Sequence, residues 1–243
     1  MKQRFFIELA YDGTNYCGWQ RQPNAPSVQA EVEDALTKLH AGETIGVLGC
    51  GRTDTGVHAH FFVAHTDLDA GTDVLQLRYK LNKILPKDVA VFRVYPVEAT
   101  MHARFSATER TYRYFIHGEK SAFLRNSLYL PKMPDIEVMN RAAQHLLGTQ
   151  DFTSLSKLHT DVKTNICTVT KAIWVQDDAQ WYFEITADRF LRNMVRATVG
   201  TLLEAGLGKI SEQDIPAILA AKDRKAAKVS VDAKGLFLWN VKY

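Results

Sequence analysis

The 243-residue chain is 46% apolar and 23% charged, with a net charge of +3 and a pI near 8.7, a balance that supports a packed core and excludes a disordered, single-sign polyelectrolyte. Apolar runs such as Ala197–Leu203 are far shorter than the roughly 20 residues of a membrane span. The mild positive charge permits a nucleic-acid partner without demanding one.

The first strand is expected over Arg4–Ala10. A loop follows, Tyr11-Asp12-Gly13-Thr14-Asn15-Tyr16-Cys17-Gly18-Trp19-Gln20, whose aromatics beside Gln20, Arg21 and Gln22 either stack on bases or pack on the core. Ser27 is placed to cap a helix in which Val28, Val32, Ala35, Leu36 and Leu39 recur at helical spacing. Strand-like residues Ile45, Val47 and Leu48 precede the loop Gly49-Cys50-Gly51-Arg52-Thr53-Asp54-Thr55-Gly56-Val57-His58-Ala59, and Phe61, Phe62 and Val63 follow it. An acid at the centre of a glycine-rich turn between two anchored strands is a candidate for chemistry, though capping such a turn is the commoner role of Asp. Asp73 opens a second helix with Val74, Leu77, Leu81, Ile84 and Leu85 on one face, stopped by Pro86, and Val89–Val97 reads as a strand.

In the second half, Arg110–Ile116 alternates Tyr112, Tyr114 and Ile116 against Thr111, Arg113 and Phe115. Asp135 caps a helix bearing Ile136, Met139, Ala143, Leu146 and Leu147, with Gly148 as its stop. Lys171–Gln176 and Gln180–Ala187 form a hairpin across Asp177-Asp178-Ala179. A helix is expected directly afterwards, with Arg189, Arg192 and Arg196 at i, i+3 and i+7 forming a basic stripe. Ser211 with Asp214 resembles a capping box. Lys222, Arg224, Lys225 and Lys228 lead to a closing strand, Gly235–Tyr243. The fold class is α+β: two similar lobes, 1–105 and 106–243, each a largely antiparallel sheet with helices on one face.

The N-terminal Met1–Glu8 meets a glutamate before any signal-peptide apolar region, which points to the cytoplasm. Three cysteines, Cys17, Cys50 and Cys167, without a C-x-x-C pair, suit a reducing compartment. Three other readings compete. Asp54-Thr55-Gly56 is the tripeptide of aspartic proteases, against which Arg52 weighs because a guanidinium opposes a shared-proton dyad. His58, His60 and His65 suggest a metal, but no acidic ligand cluster accompanies them. A non-catalytic RNA-binding module would share the basic residues and not need Asp54.

Gly51-Arg52-Thr53-Asp54-Thr55-Gly56-Val57-His58-Ala59 resembles the active-site motif of the TruA family of tRNA pseudouridine synthases. Tyr11–Thr14 with Gly18–Gln20, Arg104–Ala107, Arg110–Tyr112, Asp151–Ser154, Phe190–Arg196 and Gly235-Leu236 are similar to the family in order and spacing, so the likeness covers nearly the whole chain. It implies a pseudouridine synthase-like fold with an active-site cleft between the lobes. The implied activity is isomerisation of uridine to pseudouridine at positions 38 to 40 of the tRNA anticodon arm, by a homodimer with no cofactor, no metal and no membrane. By the same resemblance Asp54 is catalytic, Arg196 keeps it ionised through an ion pair across the lobes, and Tyr112 packs on the uracil or relays a proton. Whether Asp54 attacks the sugar or promotes elimination to a glycal stays open. Arg52 fills the space of the extruded base; Trp19 and Gln20 join it at the RNA. Arg189, Arg192, Lys222 and Arg224, with Lys225 and Lys228, are read as phosphate contacts. Two departures stand out: Gln150 occupies a place where many relatives carry His, and Val229–Asp232 lacks the usual proline.

Overall fold

The computed structural model describes residues 1–157 and 163–243 and divides into two compact units. Met1–Thr108 with Leu238–Tyr243 forms one and Glu109–Phe237 the other. The last six residues thus belong with the N-terminal part of the chain, which differs from a simple division at residue 105.

The first unit runs β1 (Lys2–Tyr11), α1 (Val28–Leu39), β2 (Leu48–Gly49), β3 (His58–Asp69), α2 (Val74–Ile84) and β4 (Val89–Val97). Its strands lie in the order β4-β1-β3, with β2 paired to β3 and the closing strand following β3. β1 is antiparallel to both neighbours, so β3 and β4, joined through α2, run parallel on either side of it, the split βαβ arrangement. Strand alternation aligns Phe5, Ile7, Leu9 and Tyr11 on one face of β1, all buried. α1 adds buried Val28, Val32 and Leu36 at the 3–4 spacing of one helical stripe. Ser27 Oγ accepts from Ala30 N–H and caps that helix, as the sequence suggests. Asp73 likewise caps α2, yet only Leu77, Leu81 and the following Leu85 are buried, while Ile84 is exposed. The expected five-residue face is narrower because α2 ends at Ile84 and covers one edge strand.

Phe6 points to the opposite face of β1 and is buried as well. Tyr95 and Tyr243 lie against it, at 6.0 and 5.0 Å between ring centroids, and the Tyr243 hydroxyl donates to Ala103 O at 2.6 Å. His65, the partner of Phe6 across the strands, is buried and accepts the Ala103 N–H on Nδ1 at 3.1 Å. Burial lowers its imidazole from 6.5 to about 4, with His102 and Arg4 pushing the same way. A base whose folded pKa is depressed supports the fold while neutral. Its contribution is complete above the unfolded value of 6.5 and is lost as pH falls towards about 4. Urea midpoints should therefore drop between about pH 7 and pH 5, and His65→Gln, which keeps an acceptor but cannot titrate, should drop less. Equal drops in both proteins would count against this origin.

The second unit contains β5 (Glu109–His117), β6 (Leu128–Tyr129), α3 (Ile136–Gln144), β7 (Gly148–Asp151), β8 (Ile166–Asp177), β9 (Gln180–Ala187), α4 (Met194–Gly206) and α5 (Asp214–Ala220), ahead of the closing strand Leu236–Lys242. The order is β5-β9-β8-β7, with β6 on β5. β8 and β9 form the expected hairpin, turning at Asp178 with φ 48°. α3 packs on α4 and β8, burying Met139, Ala142 and Ala143. Gln150, at the departure from the family pattern, donates Nε2 to His145 O and Leu147 O at 2.9 and 2.8 Å. Its amide thus satisfies carbonyls left over where α3 ends. On β9, Glu184 is buried between Arg113 and Lys171, each 2.6 Å from one carboxylate oxygen. Burial alone would raise its pKa; the two cations outweigh that and hold it below the usual value.

Candidate active site

Asp54 sits in the loop between β2 and β3, and the pairing of those strands, Leu48 with His65 and Gly49 with Ala64, closes the loop at its base. Its side chain is half-buried. The Tyr11–Gln20 loop holds the backbone on either side of it. Thr53 Oγ1 is the node, bonded to Tyr11 Oη at 2.8 Å and accepting the Trp19 N–H at 3.1 Å. Gly56 N–H donates to Tyr16 O at 3.2 Å, and Val57 N–H turns back to Asp54 O at 3.1 Å. Gly18 has φ +90°, and a Cβ there would lie 2.1 Å from Thr53 O; a Cβ at Gly13 would lie 2.0 Å from Val57 O. Both glycines let one loop press against the other. A half-buried acid on so constrained a backbone is fixed in direction without rearrangement, the condition for an oriented reactive group.

Trp19 corrects one expectation. It is 2% exposed and stacks on Phe62 with ring centroids 4.1 Å apart. Of the two readings of the aromatic loop, the core reading holds, since the indole gains more by burial against Phe62 and Tyr11 than an isolated surface ring would. It is not an RNA-facing platform. Gln20 is half-buried, donating Nε2 to Gln29 Oε1 at 2.9 Å and accepting Arg52 Nε at 3.3 Å. Arg52 is exposed. The first unit thus brings Asp54, Arg52 and Gln20 together and withdraws Trp19.

Tyr112 is half-buried on β5, with its ring edge-on to Phe190 at 5.0 Å and 82°. The arginine stripe is also corrected. α4 begins at Met194, after Asn193 at φ 66°, so Arg189 and Arg192 precede the helix and share no face with Arg196. A left-handed residue breaks the 3.6-residue period, and Asn tolerates that conformation better than most. Arg189 N–H donates to Asp188 Oδ1 at 2.7 Å. Arg192 is exposed, and its carbonyl accepts the Lys157 N–H at 2.9 Å. Arg196 lies in the first turn of α4, half-buried, donating Nε to Val231 O at 2.7 Å. Lys222 is exposed, with Nζ 3.4 Å from Asp151 Oδ2. Arg224 is half-buried and turned into its own loop, donating to Lys228 O at 3.1 Å and Ser230 Oγ at 3.0 Å.

The histidines weighed as metal ligands are engaged separately. His58 Nδ1 accepts from Gly13 N–H at 3.0 Å, His60 stacks on Trp239 at 4.0 Å, and His65 serves Ala103. Among the described residues no three His, Cys, Asp or Glu side chains converge on a metal position. Thr53 and the Val229–Asp232 segment are functional neighbours that sequence reasoning missed. The only signals were that Thr53 adjoins Asp54 in sequence and that the Val229–Asp232 segment, which accepts Arg196 Nε, lacks the usual proline.

A family model described as tRNA pseudouridine synthase matches residues 9–106 and 142–243. The protein named tRNA pseudouridine synthase A from Porphyromonas gingivalis is 51% identical over 99% of this chain and 97% of its own length. The proteins of that name from Bacteroides fragilis and Bacillus subtilis are 51% and 41% identical, each over 99% of this chain and covering 96% and 99% of theirs. With those matches along nearly its full length, and with Asp54 on the clamped turn where the motif puts it, the chain belongs to the TruA family of tRNA pseudouridine synthases.

Proposed function

We propose that this protein isomerises uridine to pseudouridine in tRNA, at positions 38 to 40 of the anticodon arm. The reaction breaks the N1–C1′ bond, turns the base and forms a C5–C1′ bond. C5 gives up its proton and N1 ends with one, so atoms and electrons balance without a redox or group-transfer cofactor. Asp54 supplies the carboxylate at the ribose. Desolvation favours its neutral form and a neighbouring cation the ionised one; Arg196 is assigned as that cation. Tyr112 offers a flat face to the uracil and a hydroxyl for proton transfer. The target nucleotide leaves the helix stack at a cost of a few kcal/mol, and Arg52, exposed and braced by Gln20, takes its place. Arg189, Arg192 and Lys222 meet phosphates, which position RNA without reading it.

The observation that carries the reading is the Asp54 turn itself, a half-buried carboxylate held by hydrogen bonds on both sides of its backbone, in a chain of this family. The proposal includes a homodimer, after the family, and the cytoplasm as its location. Release of tritium from tRNA labelled at C5 of uridine tests it: release stoichiometric with pseudouridine, mapped to the anticodon arm, is expected. Absence of release from any unmodified tRNA would overturn it.

A further inference from the structure

The segment Ala227–Asp232 crosses the start of α4 and is fastened at nearly every residue. Val231 and Arg196 are joined twice, Val231 N–H donating to Arg196 O at 3.2 Å and Arg196 Nε to Val231 O at 2.7 Å. Ser230 Oγ accepts from Asn193 Nδ2 at 2.7 Å and from Arg224 Nη2 at 3.0 Å. Arg224 Nη1 also meets Ala227 O at 3.4 Å and Lys228 O at 3.1 Å. Lys228 N–H reaches Thr201 Oγ1 at 3.3 Å, and Tyr114 Oη donates to Asp232 O at 2.9 Å. Val229 O lies against Gly200, only 1.9 Å from where a Cβ on that residue would be. The strap can lie this close to the helix because position 200 has no side chain.

We infer that Arg224 is a positioning residue for Arg196, acting through this strap, and not the phosphate contact its charge suggests. The inference rests on the reading above, in which Arg196 is the cation of the reaction. With Nε committed to Val231 O, a guanidinium meets an anion through its Nη pair. The direction of that pair then follows the position of the Val231 carbonyl. Arg224 sets that position by bridging three acceptors with one rigid fork. A lysine ammonium, a point donor on a flexible stem, cannot reproduce the bridge. A displacement of about 1 Å at a reacting group can cost on the order of 10²-fold in rate.

Arg224→Gln, Arg224→Lys and Gly200→Ala would be assayed by tritium release, with tRNA affinity measured across a salt series. All three are expected to lower kcat about tenfold or more, with KM within about twofold and the salt slope of binding unchanged. The lysine variant should fail to rescue, because geometry and not charge is lost. A phosphate contact gives the opposite pattern: wild-type kcat in Arg224→Gln, a salt slope smaller by about 0.7–0.9, and rescue by lysine. Should Gly200→Ala not fold, Ser230→Ala loosens the same strap with a smaller change and should also lower kcat. Wild-type kcat in Arg224→Gln overturns the inference while leaving the assignment of Asp54 and Arg196 intact. Wild-type kcat in Arg196→Gln overturns both the inference and that part of the reading.

Discussion

Asp54→Asn is expected to bind tRNA within about twofold of the wild type while forming pseudouridine at least on the order of 10³-fold more slowly, the scale on which loss of a reacting acid or base is felt. The substitution is nearly isosteric. The bonds that hold the loop run through Thr53 Oγ1, Gly56 N–H and the Asp54 backbone carbonyl, none of which it removes. Denaturant unfolding measures separately whatever stability is lost when the anion assigned to Arg196 becomes neutral. Single-turnover tritium release and a filter-binding titration separate the two effects. A variant that converts uridine at the wild-type rate would remove Asp54 from the chemistry, and one that loses tRNA affinity in proportion to rate would make it a binding residue.

Gly18→Ala carries the second large effect, and it acts at a distance from the carboxylate. A non-glycine residue at φ +90° costs about 1–3 kcal/mol. The new methyl also meets Thr53 O at 2.1 Å and the Asp54 carbonyl carbon at 3.2 Å, so the turn must retreat. Destabilisation at the upper end of that range, together with a fall in kcat on the order of 10²-fold, is expected from denaturant unfolding and steady-state kinetics. Gly51→Ala is the control on the same turn, since nothing lies within 4 Å of the added Cβ. It should stay within about 0.5 kcal/mol of the wild type. If the two variants behave alike, the contact between the loops does not hold Asp54 in place.

These two glycines show where the sequence could be read and where it could not. Local signals transferred well. Ser27, Asp73 and Asp135 cap the helices they precede, and the alternation around Tyr112 became a strand in register with β9. The Asp54 motif was visible as a string because glycines mark a turn, but the groups that fix the turn were not. Thr53 meets Tyr11 across 42 residues and Trp19 across 34, and nothing in the local composition announces such a meeting. Trp19 shows the same limit from the other side. Whether an aromatic in a glycine-rich loop faces solvent or core depends on Phe62, a residue on another strand. The arginine run misled because spacing implies a shared face only if the helix has begun, and one left-handed residue at Asn193 postpones it. The charge of Arg224 was legible; its direction was set by carbonyls of the strap.

The placement of Leu238–Tyr243 in the first unit bears on how the chain is made. Tyr243 lies on Phe6 and reaches Ala103, 140 positions earlier in translation. The Tyr243 ring therefore reaches Phe6 only after the whole second unit has been made, and contacts of such sequence separation form slowly. Removing Leu238–Tyr243 takes away both the Tyr243 ring against Phe6 and the hydroxyl on Ala103, so a variant without them is expected to unfold at a lower urea concentration.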